Sequence, residues 1–246
     1  MGFMDHLDEF RQRLISSTIV LVLATFVCFT FSEDLFLWLQ TPLTKIPGQK
    51  MMVLGPLEMF VTYLKLSMLA GLFVSAPWHL YQFWRFVSPG LYRTERRWVL
   101  PFIVLGTLFF VGGAAFAFYL VLPMGFDYLI KMTPETVISQ YSVAIYVSLV
   151  THMLLAFAII FELPLVMWIL GASGVVTPDA MASIRRYWIV AAFVIGGVLT
   201  PPDPITQIMM AVPLLLFYEL GIFGARILCR TKTETLVQNE NTGAGL

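Results

Sequence analysis

The chain has 246 residues, of which 59% are hydrophobic and 12% are charged, and its mean hydropathy is +0.83. A soluble globular domain has about a quarter charged residues, so this chain has too few charges to cover a surface that faces water. Fifteen basic and fifteen acidic residues give a net charge of zero, which argues against a nucleic-acid partner.

The N-terminus begins with a polar segment of mixed charge, residues 4–13. The apolar run that follows has no small-x-small cleavage site after it, which a secretory signal peptide would need. We therefore interpret this run as a permanent first helix.

Six apolar segments follow one another along the chain, and each is expected to be a helix because lipid offers the backbone no hydrogen-bond partner. All but the fifth are long enough for a span of roughly 20 residues. The sequence predicts an all-α integral membrane protein with one six-helix transmembrane domain, residues 1–232, and a polar, disordered tail, residues 233–246. The segments cover residues 14–31, 59–84, 98–122, 143–170, 187–199 and 205–225.

The fifth segment has only thirteen residues before the turn Thr200-Pro201-Pro202-Asp203. At about 1.5 Å per residue it covers roughly 20 Å, which is less than the ~30 Å hydrocarbon core. Two interpretations are open: half of a re-entrant hairpin with the sixth segment, or a short span that thins the bilayer. Arginines flank both ends of this pair of segments, so both ends face one side either way. We favour two short spans.

The basic residues are distributed unequally between the two sides of the predicted bundle. One side has only Lys45, Lys50 and Lys131, in two long outer loops that we define as residues 32–55 and 123–142. Because cytoplasmic connections are enriched in Lys and Arg, both termini are predicted to lie in the cytoplasm. The other side has eleven basic residues: Arg11, Arg13, Arg85, Arg93, Arg96, Arg97, Arg185, Arg186, Arg226, Arg230 and Lys232.

Neither metal nor nucleotide chemistry is indicated by the motifs. The sequence has no CxxC, HExxH or zinc-type spacing and no GxxxxGK[ST] loop, so no cofactor is expected. Cys28 lies in an apolar run and Cys229 in the basic C-terminal segment, so we expect no disulfide between them.

The sequence Gly171-Ala172-Ser173-Gly174 has the form of the serine motif of rhomboid proteases. A nucleophilic serine needs a base, usually histidine, and the rhomboid histidine lies on a later helix. All three histidines of this chain precede Ser173. We interpret the motif as a helix end and a turn, with Thr177 capping the next helix, and we expect no enzyme activity.

Glu162 is the most unusual residue, since it lies inside the fourth apolar segment and just before Pro164. A carboxylate at such depth should face protein or a wet cavity. Either it is a polar or protonatable site for a partner helix or substrate, or it is a packing group bonded to backbone that Pro164 leaves free. The sequence does not decide between the two.

Other polar residues near the helix ends have simpler interpretations. Asp203 is a candidate N-cap for the sixth helix, and Gln207 a candidate for a polar contact with another helix. Glu219 is explained by snorkelling or by pairing with Arg226 on the same helical face. Lys65 likewise can snorkel to the outer interface, and Glu58 lies seven residues before it.

Two carboxylates stand among arginines on the predicted cytoplasmic face. Glu9 is close in sequence to Arg11 and Arg13, and Glu95 is close to Arg93. A cationic ligand would find two anionic points there, because arginine pairs with carboxylate in bidentate fashion. The alternative is local surface ion pairing, worth about 0–1 kcal/mol, and spacing alone favours it.

The loop sequence Phe86-Val87-Ser88-Pro89-Gly90-Leu91-Tyr92-Arg93-Thr94-Glu95-Arg96-Arg97 resembles the first cytoplasmic loop of the TatC family of twin-arginine translocases. Phe10 replaces the leucine that is usual in the first of the family's motifs. The match extends in the family's order from about residue 4 to residue 230. The other matching motifs are Glu9-Phe10-Arg11-Gln12-Arg13, Pro42-Leu43, Phe161-Glu162-Leu163-Pro164, Leu199-Thr200-Pro201-Pro202-Asp203 and Tyr218-Glu219-Leu220-Gly221.

The resemblance implies a receptor in the bacterial inner membrane that binds twin-arginine signal peptides of folded cargo proteins. It also implies an oligomeric complex with the single-span subunits TatA and TatB, and transport driven by the proton-motive force. By resemblance, Glu95 is the main signal-binding carboxylate and Glu9 the supporting one, with Phe86 and Arg93 in the same region. Glu162 would line a concave groove and Gln207 would contact a partner span. Pro42 and Asp203 match functional loop positions.

A second hypothesis is a proton-coupled transporter of small solutes. Such transporters are often built from two similar halves, and we find no internal repeat in this sequence. An Arg-specific response to a signal peptide would favour the receptor, whereas solute uptake by the protein alone would favour the transporter.

Overall fold

Long apolar helices account for most of the computed structural model, which describes residues 3–44, 50–87, 99–134, 140–172, 174–199 and 204–243. The chain divides into two compact units, Met1–Ala158 and Ile159–Leu246.

The first unit begins with a long helix and ends within another. Its elements are α1 (Phe3–Phe29), α2 (Ser32–Leu39), α3 (Thr41–Thr44), β1 (Lys50–Met52), α4 (Glu58–Val87), α5 (Val99–Phe116), α6 (Leu122–Lys131), β2 (Gln140–Ser142) and the first part of α7 (Val143–Ala172). The polar N-terminal residues are already helical, so α1 begins well before the predicted start at residue 14. No proline or glycine interrupts the sequence between Phe3 and the apolar run, and the helix therefore extends past it.

Helices α1 and α4 form the most extensive helix pair of the first unit. Their backbones approach closely at Gly71, where an added Cβ atom would lie 2.8 Å from the backbone nitrogen of Thr25. Small residues allow such approach between apolar helices, for which van der Waals packing is a main source of association in lipid.

The predicted third helix is longer than expected. A π-helical turn, Ala117–Val121, joins α5 to α6, and the helical path continues to Lys131. This corrects the predicted end at residue 122. Pro123 lies in the first turn of α6, where the missing N–H is tolerated, and the wider π turn before it accommodates the break in the hydrogen-bond ladder.

The two outer loops contact each other through a small parallel sheet. Strand β1 pairs with β2 in the register Met51↔Tyr141 and Met52↔Ser142. The buried hydroxyl of Tyr146 donates to the carbonyl oxygen of Leu39 at 2.8 Å. The predicted all-α class therefore holds for the helices, and the strands are a minor addition in the loops.

The second unit contains the rest of α7 with α8 (Pro178–Ser183), α9 (Arg185–Leu199) and α10 (Pro204–Gly243). Thr177 caps α8 by accepting the amide hydrogen of Ala180 at 3.2 Å, which confirms the predicted cap. Tyr218 of α10 donates its hydroxyl to the carbonyl oxygen of Met181 at 2.7 Å, and its ring stacks on Trp188 at 4.9 Å between centroids. These contacts fix α8 and α9 against α10.

Helix α10 does not end near residue 225 as predicted, but continues to Gly243. The residues after Arg230 contain neither proline nor glycine until Gly243, so nothing in them interrupts a helix. The polar tail is therefore helical over most of its described part.

Five helical stretches of the described chain are long and apolar enough to cross a membrane. Apolar side chains such as Leu23 and Phe26 of α1 are more than half exposed, as expected for a surface that faces lipid. Helix α9 has fifteen residues and falls short of this length, so a sixth span stays a prediction. The five stretches are Leu7–Phe29, Glu58–Phe86, Leu100–Lys131, Val143–Gly171 and Pro204–Ile227.

Alanine normally stabilises a helix relative to glycine, but the close approach of α1 and α4 predicts that it destabilises the protein at Gly71. Gly71→Ala should lower the free energy of unfolding by about 1–3 kcal/mol, because its methyl group forces α1 and α4 apart. Gly112→Ala on α5 is the control, since an added Cβ there meets nothing within 4 Å and alanine favours helix. Thermal unfolding in detergent measures both, and equal stability of the two variants would contradict the packing argument.

Candidate functional site

The candidate site is built around Glu9 in the first turns of α1. One Glu9 carboxylate oxygen accepts a hydrogen bond from the Arg13 guanidinium one helical turn later. The Glu9 side chain is 23% exposed and that of Arg13 is 14% exposed, so this is a partly desolvated pair rather than a solvated surface pair.

Arg13 also connects α1 to α4. Its Nη1 atom donates to the Gln82 side-chain oxygen at 3.4 Å, and Gln82 donates in turn to the Ser16 hydroxyl at 3.3 Å. The Arg13 Nε atom is buried and has no hydrogen-bond partner among the described residues. Sequence reasoning did not identify Gln82, because a glutamine near the end of a helix carries no motif of its own.

An aromatic contact places the N-terminal part of α1 beside the C-terminal end of α4. The rings of Phe10 and Phe86 lie 5.5 Å apart between centroids and are tilted by 58°. The structure therefore places Phe10, the neighbour of Glu9 in sequence, against the predicted signal-binding residue Phe86. Arg93 and Glu95 lie outside the described residues, so their positions are not part of this geometry.

Glu162 lies on α7 in the second unit. Its Oε1 atom is buried and has no hydrogen-bond partner within the described ranges. Its neighbour Phe161 packs on Phe217 at 4.0 Å between ring centroids, and Pro164 is fully buried. A buried carboxylate oxygen without a protein donor is costly, and the described residues do not supply the backbone donor that a packing role beside Pro164 would use for this oxygen.

Gln207 has a partner within its own unit. Its side-chain nitrogen donates to the carbonyl oxygen of Phe193 at 2.9 Å. A Cβ atom added at Gly197 would lie 3.0 Å from that nitrogen, so the glycine leaves room for the amide. The predicted contact of Gln207 with another helix is therefore made to α9, and a contact with a separate partner span stays a prediction.

Two ion pairs join the connection between α7 and α9 to α10. Arg185 donates to Glu219 at 2.7 Å, and Arg226 lies 3.6 Å from Asp179. The sequence suggested Arg226 as the partner of Glu219, and the structure corrects this. Arg185, at the start of α9, pairs with Glu219. Arg226 lies about two helical turns after Glu219 on α10 and faces Asp179 of α8.

Of the remaining predicted residues, Pro42 lies in the first outer loop. Pro42 is buried in α3, next to the fully buried Leu43, and α3 packs against α6. Asp203 and Ser173 fall outside the described residues. Within the described ranges no three His, Cys, Asp or Glu side chains are grouped closely enough to hold a metal ion.

Glu58 is the residue that sequence reasoning most clearly missed. Its carboxylate accepts hydrogen bonds from both outer loops, including that of Ser142 at 2.8 Å. The only signal was an acidic residue at the first position of a helix, which is common at helix N-termini for electrostatic reasons.

Comparison with known proteins gives consistent matches over most of the chain. The family model described as Sec-independent protein translocase protein (TatC) matches residues 5–213. The chain is 41% identical over 232 residues to the Sec-independent protein translocase protein TatC of Desulforapulum autotrophicum, covering 94% of this chain and 86% of that protein. It is 39% identical over 237 residues to the protein of that name from Aquifex aeolicus, with coverages of 95% and 98%.

The structural match agrees with the sequence matches. A crystal structure of the twin arginine translocase receptor TatC is similar to this chain with a TM-score of 0.83 and 39% sequence identity. The similarity covers 91% of this chain and 99% of that chain.

Because Arg13 donates a hydrogen bond to Gln82, we expect the stability of the protein to depend on the side-chain oxygen of Gln82. Gln82→Met keeps the side-chain length but removes the acceptor, leaving a second guanidinium nitrogen of a nearly buried side chain unpaired. We expect a loss of about 1–3 kcal/mol in the free energy of unfolding. Gln12→Met is the matched control, because Gln12 is exposed. Chemical unfolding in detergent distinguishes the two, and an unchanged Gln82→Met protein would show that Arg13 does not depend on Gln82.

Proposed function

This chain belongs to the TatC family of Sec-independent protein translocase proteins, and we propose that it is the subunit that binds twin-arginine signal peptides. The family is a membrane component of a protein translocase and not an enzyme family. The proposed cargo is a folded protein whose signal peptide presents two adjacent arginines at the cytoplasmic membrane surface.

The observation that carries this proposal is the contact between the Glu9 turn of α1 and the Phe86 end of α4. Glu95 follows Phe86 by nine residues, so the length of the chain between them limits the distance from Phe86 to Glu95 to about 30 Å. Two carboxylates from separate segments can thus converge on one peptide. The positive charge of Arg93, two residues before Glu95 in sequence, would keep Glu95 ionised.

The local chemistry of Glu9 supports an arginine ligand. Glu9 already accepts a guanidinium, that of Arg13, in a partly desolvated setting. A signal arginine would share or take over this carboxylate with the same fork geometry. Lysine offers a compact, strongly hydrated ammonium that cannot form the two parallel hydrogen bonds, so a lysine pair would bind less well.

Glu162 and Gln207 are proposed to serve the steps after recognition. A concave groove lined by Glu162 would receive the apolar part of the signal peptide, and the unpartnered Oε1 atom supports a polar contact there. Gln207 would lie near a partner span while holding α9 against α10. We propose TatA and TatB as these partners, in an oligomeric complex powered by the proton-motive force.

The proposed topology has six spans in the bacterial inner membrane with both termini in the cytoplasm. The fifteen residues of α9 extend roughly 22 Å, which is less than the ~30 Å hydrocarbon core. A short α9 would thin the bilayer next to it and lower the barrier to passage of cargo. Pro42 and Asp203 would shape the outer surface of this region.

The receptor role predicts Arg-specific peptide binding by the purified protein in detergent. A twin-arginine peptide should bind more tightly than its Lys-Lys counterpart, and Glu9→Gln and Glu95→Ala should each weaken it by about 1.5–3 kcal/mol, the scale of a charge-assisted hydrogen bond. Asp8→Asn is the control, since Asp8 is exposed beside Glu9 in sequence. Calorimetry or fluorescence anisotropy measures the affinities. Equal binding of both peptides would refute the receptor assignment.

The thinning role of α9 predicts a length dependence of export. Four extra apolar residues in the middle of α9 add one turn, about 6 Å, and should reduce export of a twin-arginine reporter while leaving peptide binding intact. The control carries a four-residue polar insertion in the tail, residues 233–246. Unchanged export from the lengthened α9 variant would exclude bilayer thinning as the reason for its short length.

A further inference from the structure

The Glu58 carboxylate has a hydrogen-bond pattern that divides evenly between the two outer loops. Its Oε2 atom accepts from the backbone amides of Leu54 and of Gly55, the latter at 3.2 Å, in the first outer loop. Its Oε1 atom accepts from the Ser142 hydroxyl at 2.8 Å and from the Ala144 amide at 2.8 Å. Oε2 therefore serves the end of the first outer loop, and Oε1 serves the junction of the second outer loop with α7.

A carboxylate suits this position. It has two oxygens that accept without donating, all four of its neighbours donate to it, and three of them are backbone amides that cannot accept. A glutamine of the same length would direct an NH₂ group at one pair of donors, and that loop would lose its attachment. The clasp, defined here as Glu58 with Leu54, Gly55, Ser142 and Ala144, thus depends on the charge state and not only on the size of the side chain.

The clasp joins the beginnings of two long helices. Glu58 is the first residue of α4, and Ala144 is the second residue of α7, where the amide hydrogens have no partner within the helix. The negative charge at this point also suits the positive end of the α7 dipole. The extensive contacts of α4 in the described chain are with α1, α2 and α5, so the clasp is a direct polar link between α4 and the start of α7.

The neighbouring strand pair extends the clasp. Met52 pairs with Ser142 at the end of the β1–β2 ladder, one step from the Glu58 contact. The remaining pairs of the ladder lie beyond it, and without the clasp this part of the two loops is joined by three strand positions, while α3 still packs against α6 and Tyr146 still donates to Leu39. A three-residue parallel pair is not stable by itself.

We propose that Glu58 is a positioning residue for export, holding the outer end of α4 to the second outer loop, and that signal recognition does not need it. This inference rests on the proposed function, in which the opposite end of α4, at Phe86, takes part in signal binding. With its outer end attached, α4 is fixed at both ends when a signal peptide engages. Without the clasp the signal still binds, but the start of α4 is released from the start of α7 and cargo is not passed on.

The test uses Glu58→Gln in the full chain, with Glu33→Gln as the matched control. Glu33 is an exposed glutamate of the first outer loop. Three quantities are measured: the amount of folded protein in the membrane, affinity for a twin-arginine peptide, and export of a twin-arginine reporter. We expect Glu58→Gln to lose most of its export while abundance and affinity stay at the level of Glu33→Gln. Export equal to that of the control would overturn the inference.

A disulfide separates positioning from simple destabilisation. Met51→Cys with Tyr141→Cys places two cysteines at paired positions of β1 and β2, in a chain that also carries Cys28→Ala and Cys229→Ser. The bond should restore export to Glu58→Gln under oxidising conditions, and a reductant should remove it again. Failure of the formed disulfide to restore export would refute the positioning role. Wild-type protein that does not bind the peptide would instead refute the proposed function.

Discussion

Every polar group that this chain places among apolar helices has to find its partner inside the protein, because lipid supplies none. The rule explains why several polar side chains in different parts of the chain donate to backbone carbonyl oxygens. Ser67 and Ser75 donate to carbonyl oxygens one turn earlier at 2.6 Å, and Tyr146 and Tyr218 reach carbonyl oxygens of neighbouring elements. Gln207 does the same between α9 and α10. The helix pairs are thus held by a few directional bonds added to close packing.

Four buried side-chain atoms in the described part of the chain are exceptions to this rule, namely Arg13 Nε, Trp84 Nε1, Thr151 Oγ1 and Glu162 Oε1. An unpaired polar atom in a low-dielectric setting is costly. Arg13 and Glu162 belong to motifs that resemblance assigns to recognition or transport, whereas Trp84 and Thr151 do not. An unpaired polar atom therefore does not by itself mark a functional residue in this chain.

The long helices were predictable from the sequence, since an apolar run of span length has one structural solution in lipid. Their ends were not. Pro123 is accommodated by a π turn, and the polar residues at both ends of the chain continue α1 and α10, because they include no proline or glycine before Gly243 and polarity alone does not end a helix. In the site, Glu9 was predicted by motif, whereas Gln82 and Glu58 were not. Their partners are 69 and 84 residues away, and no local pattern encodes such contacts.

Glu9 and Glu58 show how the same side chain can serve exchange at one end of the chain's first unit and attachment at the other. One partner of Glu9 is the side-chain guanidinium of Arg13, and another guanidinium offers the same hydrogen-bond chemistry. Three of the four donors to Glu58 are backbone amides, which cannot move without moving the loops that carry them. A ligand that competed for Glu58 would have to unfold its surroundings. Side-chain partners therefore suit a receptor contact, and backbone partners suit a permanent joint.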